Sequence, residues 1–411
     1  MLNILFISFF FPPMGGTGIL RAAKLVKYFP RFGIRPYVVA VKPNGFPWID
    51  HSFDNDIRDA IVLRTSHPPF FPVGGVGRRP NFFPASDYIF LPDNKLWWMP
   101  YLYSAAMRLA TAVRFDAVFV ELPTFSSLLV GRKIAKKLGI PYFADFRDSW
   151  CQNPARPHLP APHRRYNRYL EATALSDVEY VFTVNDSIRE ELLLHHRHLG
   201  GKVATVYGGF DKEEIVKTVR KNDRMSITYL GTVYRRFRSP YPFLLAFSRV
   251  VRSNRGFKEK VVLRFVGRYT GALLEWIDEL GIADIVDVID YLPHSEAVRF
   301  GMRSDILLFL LDPLTASYGQ TSGKLFEYLG MGKPIFAVAP QLSEAADIIR
   351  RFNAGFVASP RMIDEIERAL LDSFSLWERG ELPEKVGGHE SFLYPHNVER
   401  MAEIIKQGIG G

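Results

Sequence analysis

Residues 2–18 read LNILFISFFFPPMGGTG, and the reading of this stretch decides the fold. An apolar run that stops at two prolines and three glycines is open to several readings: an export signal, a membrane anchor, or a buried strand entering a loop. No basic residue precedes Arg21, the apolar part is short, and no small-residue cleavage site comes before the prolines, so an export signal is a poor reading. No apolar run in the chain approaches the roughly 20 residues of a membrane span. The pattern predicts a parallel strand, Leu2 to Phe9, buried on both faces and followed by a glycine loop and a helix.

The same unit repeats outward from there. LNILFIS, RPYVVAV, AIVL, DAVFVE, IPYFA and EYVFTV read as short buried strands, with helical patterns over Gly18–Phe29, Thr124–Leu138 and Asp186–His195 between them. A second series follows: MSITYLG, VVLRFVG, VDVID, DILLFLL, PIFAVA and AGFVA. Alternation of this kind implies parallel sheets with crossover helices. The first series closes on KVATVYGGFD, Lys202–Asp211, and the charged KEEIVKTVRKNDR separates it from the second. The expected fold is therefore α/β, with two Rossmann-like halves. Their boundaries are expected at 1–205 for the first domain, 206–385 for the second, and 386–411 for an amphipathic terminal helix that crosses back to the first domain. Two such sheets facing each other would form a cleft, with ligands outside the carboxyl ends of the strands. Residues 43–100, rich in Pro, Gly and aromatics, break the rhythm as a long insertion.

With 411 residues, 47% apolar and 23% charged, the chain has the composition of a soluble globular protein of two or three domains. Its single cysteine, Cys151, excludes a disulfide framework and a cysteine-based metal site and fits a reducing cytoplasm. The net charge of +9 points to anionic partners. The basic residues cluster at Arg78-Arg79, at Arg132-Lys133 with Lys136-Lys137, at Arg164-Arg165 with Arg168, and at Arg235-Arg236 with Arg238. His195, His196 and His198 lack the carboxylate or cysteine that would complete a metal site and read as surface or helix-end residues. No G-x-S-x-G elbow is present. Trp97-Trp98 read as core or cleft wall.

Three loops could carry chemistry. After the first strand, Gly15, Gly16 and Gly18 let backbone approach a ligand at a helix start, where free N–H groups suit a phosphate or a sugar oxygen. The spacing is not a dinucleotide fingerprint: counted from Gly16 and Gly18, the third glycine position is Arg21. In the second half, YLGTVYRRFRSP places Arg236 and Arg238 in a loop after a strand, where guanidinium forks fit a diphosphate. The third loop opens GQTSGKLFEYLGMGKPIFAVAP, residues 319–340. Thr321 or Ser322 caps a helix ending at Gly330 or Gly332, and Gly323 lies in the first turn. Lys324 and Glu327, three apart, share a face. A cation beside free N–H groups suits a diphosphate, and a carboxylate one turn on suits two vicinal hydroxyls. The plain alternative is a surface pair.

SGKLFEYLGMGKPI, preceded by ITYLGTVYRRFRSP and by the YGGFD linker, resembles glycosyltransferase family four, whose members are retaining sugar transferases of the two-domain GT-B architecture. The resemblance spans most of the chain, with residues 225–340 the most specific part. ADFRDSW, Ala144–Trp150, is also similar to members that build bacterial surface polysaccharides. The resemblance implies that Glu327 binds the donor ribose and that Arg238 and Arg236 bind the diphosphate. It places Ser322, Gly323 and Lys324 beside that diphosphate, with Arg238 and Lys324 as catalytic cations. It puts Tyr291, Leu292 and His294 at the nucleotide base, and Gly15 and Gly16 near the reacting sugar. Asp145 would be a catalytic carboxylate orienting the sugar, with Arg147 and Asp148 beside it. The chain departs from the family twice: the position eight residues before Glu327 is Gly319 rather than glutamate, and Thr232 follows Gly231 where relatives carry arginine or lysine.

The activity expected is transfer of a sugar from a nucleotide-diphosphate sugar to a saccharide or lipid-linked acceptor, with no cofactor and no metal. The expected location is the cytoplasm, peripheral on the inner face of an anionic membrane, with Arg78, Arg79 and the RKIAKK helix, residues 132–137, as docking residues. The alternatives are a sugar-nucleotide epimerase of the same architecture and a non-catalytic nucleotide- or nucleic-acid-binding protein.

Overall fold

The computed structural model describes residues 1–16, 18–68, 89–153, 159–215, 223–233, 235, 238–311, 321–383 and 389–410. It divides into two compact units, Met1–Gly208 with Tyr394–Gly411, and Gly209–Leu393. Residues 389–393, read from the sequence as part of the terminal helix segment, belong to the second unit, and the helix itself begins at Tyr394.

The first unit is built on seven parallel strands: β1 (Leu2–Ile7), β2 (Ile34–Val41), β3 (Ile61–Thr65), β4 (Ala117–Glu121), β5 (Tyr142–Phe146), β6 (Tyr180–Thr183) and β7 (Val203–Thr205). Their order across the sheet is β3-β2-β1-β4-β5-β6-β7. The opening run is thus an interior strand, paired on both sides and buried from Ile4 to Ile7. Phe6 stacks on Phe119 of β4 at 5.1 Å between centroids. The crossovers include α1 (Ile19–Tyr28), α2 (Met99–Ala112), α3 (Phe125–Leu138), α4 (Ala161–Leu175) and α5 (Asp186–His195). Asn185 caps α5, its Oδ1 accepting from Ile188 N at 2.8 Å. Trp98 is wholly buried against Phe9, a core residue as the sequence suggests.

The second unit has six parallel strands: β8 (Met225–Leu230), β9 (Val261–Val266), β10 (Val286–Ile289), β11 (Ile306–Leu310), β12 (Ile335–Val338) and β13 (Gly355–Ala358). Their order is β10-β9-β8-β11-β12-β13. The helices are α6 (Tyr241–Ser253), α7 (Arg255–Lys260), α8 (Gly271–Glu279), α9 (His294–Met302), α10 (Gly323–Met331), α11 (Glu344–Arg351) and α12 (Ile363–Arg379). The terminal helix α13 (Tyr394–Gly410) packs on α1 in the first unit. Each sheet reverses its strand order once, between β1 and β4 and between β8 and β11. In such sheets the loops beside the reversal, at the carboxyl ends of the strands, hold the ligand.

Among the described residues, no helix is long and apolar enough to cross a membrane.

Candidate functional site

In the second unit the reversal point is occupied by the end of β8 and the start of α10. Ser322 stands at the N-cap in extended backbone, and its hydroxyl makes no capping hydrogen bond. Gly323 opens the helix, and among the described residues a Cβ there would meet nothing within 4 Å. The unpaired N–H groups of the first turn are therefore approachable. Lys324 lies back over the end of β8. Its Nζ donates to Tyr229 Oη at 3.4 Å and sits 4.7 Å from the centroid of that ring. Gly231 has φ 127°, backbone that favours glycine, and a Cβ there would come within 2.0 Å of Nζ and push the lysine aside. Gly267 in turn allows the close pass of Gly231, whose carbonyl oxygen would lie 2.5 Å from a Cβ at 267.

Tyr229 orders this socket. It is buried, and desolvation pushes its phenol up to about 12 despite the opposing charge of Arg238, so it remains a neutral hydroxyl near pH 7. It donates to Thr232 O at 2.9 Å, which leaves its lone pairs to Lys324. Thr232, where relatives carry a cation, contributes its carbonyl here. A second tie comes from Tyr328, whose Oη accepts from Leu230 N at 3.1 Å. The helix closes at Gly332, φ 64°, while Gly330 stays inside it because a Cβ there would strike Phe210.

One turn after Lys324, Glu327 faces a different environment. His294, the first residue of α9, places Nε2 3.4 Å from Glu327 Oε1 and 3.3 Å from Glu214 Oε2. A small open depression lies here, lined by Asp211, Glu214, Glu327, Phe210 and Met331 among others. Carboxylates so placed accept from hydroxyls and repel phosphate, so the two ends of this helical turn suit different parts of one ligand. Tyr291 and Leu292 are half-buried in the loop before α9, with the Arg268 guanidinium 5.3 Å from the Tyr291 ring centroid. Arg238 is half-buried in left-handed backbone, φ 52°, uncommon for a residue with a side chain. Arg236 and Gly319 lie outside the described residues.

The first unit also gathers charges at its reversal point. Asp145, on β5, receives two hydrogen bonds from Arg21, both 2.7 Å. Arg21 also donates to Tyr207 O at 3.1 Å. Glu121, ending β4, is 2% exposed and accepts from Ser8 Oγ at 2.9 Å, with the Arg147 guanidinium against its other oxygen. Burial lifts this carboxyl to about 7, against the lowering effect of Arg147. Arg147 donates to Leu122 O at 2.6 Å and to Gly18 O, which ties β4 to the start of α1. Gly18 has φ 104°, and a Cβ there would run into the Arg147 guanidinium. Gly15 is buried and donates to Trp48 O at 2.9 Å, whereas Gly16, φ 103°, is exposed.

The sequence reading set Asp145 beside the sugar. In the structure it is 0% exposed and both oxygens accept from Arg21. Arg21 entered the sequence reading only as a missing glycine, and Glu121 and Tyr229 only as strand residues. Nothing in their local pattern marks them, because their partners lie far away in the chain. His196 stands at the C-cap of α5, a helix-end residue as expected, and is buried with Nε2 3.3 Å from Glu171 Oε2. The docking residues expected in 132–137 are largely engaged. Arg132 and Lys136 pair with Asp177, and Lys133 lies over the Tyr103 ring at 4.8 Å. Arg78 and Arg79 lie outside the described residues.

Residues 20–214 match the family model described as Glycosyltransferase Family 4. No curated protein sequence matches the chain. Among solved structures, Anabaena HepE in complex with UDP and glucose superposes with a TM-score of 0.69 at 15% identity, covering 99% of this chain and 100% of that one. Sucrose-phosphate synthase from Thermosynechococcus elongatus gives 0.71 at 12% identity over 99% of each chain. The lipopolysaccharide outer core galactosyltransferase WaaB, in its apo form, gives 0.59 at 14% identity over 99% of each chain. At these identities the likeness is one of fold, and the fold is GT-B, with two Rossmann-like units.

Proposed function

We propose that this chain, which carries a glycosyltransferase family 4 domain at residues 20–214, moves a sugar from a nucleotide-diphosphate sugar to a saccharide or lipid-linked acceptor, with retention of configuration. The observation that carries this reading is the start of α10. There an approachable helix terminus, a lysine held over Gly231 and a carboxylate one turn on stand at the strand-order reversal. The leaving diphosphate gains charge in the transition state. Lys324, Arg238 and the N–H groups at Ser322 and Gly323 stabilise that charge without a metal, and Arg236 supplies a second guanidinium. Glu327 accepts from the ribose hydroxyls, and Tyr291, Leu292 and His294 hold the base. Gly15 and Gly16 border the sugar, with the Arg21–Asp145 pair fixing the helix behind them.

UDP bound in HepE supports a nucleoside diphosphate as the ligand, and the family domain favours transfer over epimerisation. The likeness of Ala144–Trp150 to surface-polysaccharide enzymes and the charge of +9 support a lipid-linked acceptor at an anionic membrane. Calorimetry with a panel of nucleoside diphosphates and their sugars, with and without EDTA, tests the reading. One ligand should bind equally well in both conditions, and Lys324→Ala and Glu327→Ala should each lose most turnover while folded. No binding across the panel, or near-normal turnover in either variant, overturns it. A product that is the isomerised donor would establish epimerisation instead.

A further inference from the structure

We infer that the exposed face of α4 is where this protein lies on an anionic lipid bilayer, an inference that rests on the membrane-acceptor reading above. On the neighbouring helix α3, Arg132 and Lys136 share the Asp177 carboxylate and Lys133 lies over the Tyr103 ring. The basic residues of α4 are not held in this way. Arg164, Arg165 and Arg168 are exposed, and none has an ion-pair partner among the described residues. Arg164 donates to Leu159 O at 2.8 Å, which keeps it at the start of the helix. The helix has one acidic residue, Glu171, and it is buried with Asn167, Ala174 and Leu175 on the inward stripe. The outward face is therefore cationic without interruption.

That face also carries two large aromatics. Tyr166 and Tyr169 are 50% and 63% exposed and stack on each other, with centroids 6.2 Å apart and planes 22° apart. A tyrosine pair costs apolar exposure in water and gains at a bilayer interface, where the rings enter the headgroup region and the hydroxyls stay wet. Arginines beside it meet lipid phosphates with forked hydrogen bonds. A nucleic acid would want ring faces spaced to stack successive bases, and here the two rings lie against each other as an offset pair. Lipid is the better match.

The test is co-sedimentation of the full chain with vesicles of 30% phosphatidylglycerol in phosphatidylcholine, across a salt series. The wild type should bind these vesicles, bind pure phosphatidylcholine far less, and weaken as salt rises. A cation near anionic lipid contributes about five-fold in partitioning, so the triple variant R164Q/R165Q/R168Q should lose on the order of a hundred-fold. Tyr166→Ala with Tyr169→Ala should weaken binding with its salt dependence kept, and R132Q/K136Q should bind within a few-fold of wild type. Unchanged binding by both the α4 triple and the tyrosine pair refutes this surface while the membrane reading stands. No binding by wild type refutes both. Salt-dependent binding of single-stranded RNA in place of vesicles, lost in the same triple, assigns the face to nucleic acid and overturns the proposal.

Discussion

The two units place charged residues at the same topological position and treat them in opposite ways. In the first, Asp145, Glu121 and Arg21 stand beside the reversal between β1 and β4, and each is at most 5% exposed. In the second, Lys324, Glu327, His294 and Arg238 gather around the reversal between β8 and β11, and each is half-buried. A buried ion pair such as Arg21–Asp145, with both carboxylate oxygens hydrogen-bonded, holds elements in place. A half-buried cation over a glycine, next to unpaired N–H groups, is ready to exchange water for a ligand. The same sheet geometry thus serves as a clamp in one unit and as a receptor in the other.

The largest expected effect would break this contrast if it failed. Asp145→Ala leaves Arg21 buried without its carboxylate and should cost about 3–5 kcal/mol of stability, read as a lower denaturant midpoint. Lys324→Ala should change stability by no more than about 1 kcal/mol. It should weaken nucleoside diphosphate binding roughly 10- to 100-fold, the worth of a hydrogen bond to a charged group. An Asp145→Ala protein of normal stability that is dead in catalysis would return Asp145 to the sugar and place both sites in the receptor class.

This contrast also explains what the sequence disclosed. The strands were legible because short apolar runs between glycine loops read as buried parallel strands, and LNILFI and MSITYL both lie in the interior of their sheets. The α10 segment was legible because cap, glycine, lysine and glutamate lie within a few residues of one another. The clamp was not. Arg21 and Asp145 are 124 positions apart, and Ser8 and Glu121 are 113 apart, so no local spacing announces either pair. Arg21 looked like a defect in a glycine motif, when it is the residue that Asp145 requires. Residues that meet a ligand cluster in a loop, whereas residues that brace the loop are recruited from across the sheet.

The clamp should have its own pH signature. Burial raises the Glu121 carboxyl from 4.5 to about 7, so the folded state holds this proton more tightly than the unfolded chain. The stability it contributes is fully present below pH 4.5 and is lost as pH rises to about 7. Glu191, raised to about 7 by burial, acts in the same direction. Urea midpoints from pH 4.5 to 8 should therefore decline in the wild type. Glu121→Gln should decline less steeply, keeping the Glu191 part. Identical slopes in wild type and Glu121→Gln would mean that Glu121 is not held in a desolvated site, and the clamp would be looser than its burial indicates.

The smallest effect sharpens the contrast most, because it asks whether the receptor has a brace of its own. Tyr229 is buried like the clamp residues but serves a half-buried one. It donates to Thr232 O and accepts from Lys324 Nζ, so Tyr229→Phe removes both bonds and keeps the ring under the ammonium. A neutral hydrogen bond is worth about 0.5–1.5 kcal/mol, so diphosphate affinity should fall roughly two- to ten-fold. If Tyr229 acts through Lys324, the loss should vanish when Tyr229→Phe is made in the Lys324→Ala background, a coupling that a double-mutant cycle by calorimetry measures directly. Additive losses would mean that Tyr229 supports the Gly231–Val233 loop and not the lysine. A coupled loss would make the end of β8 a small counterpart of the first unit's clamp, buried on the strand side and open on the ligand side.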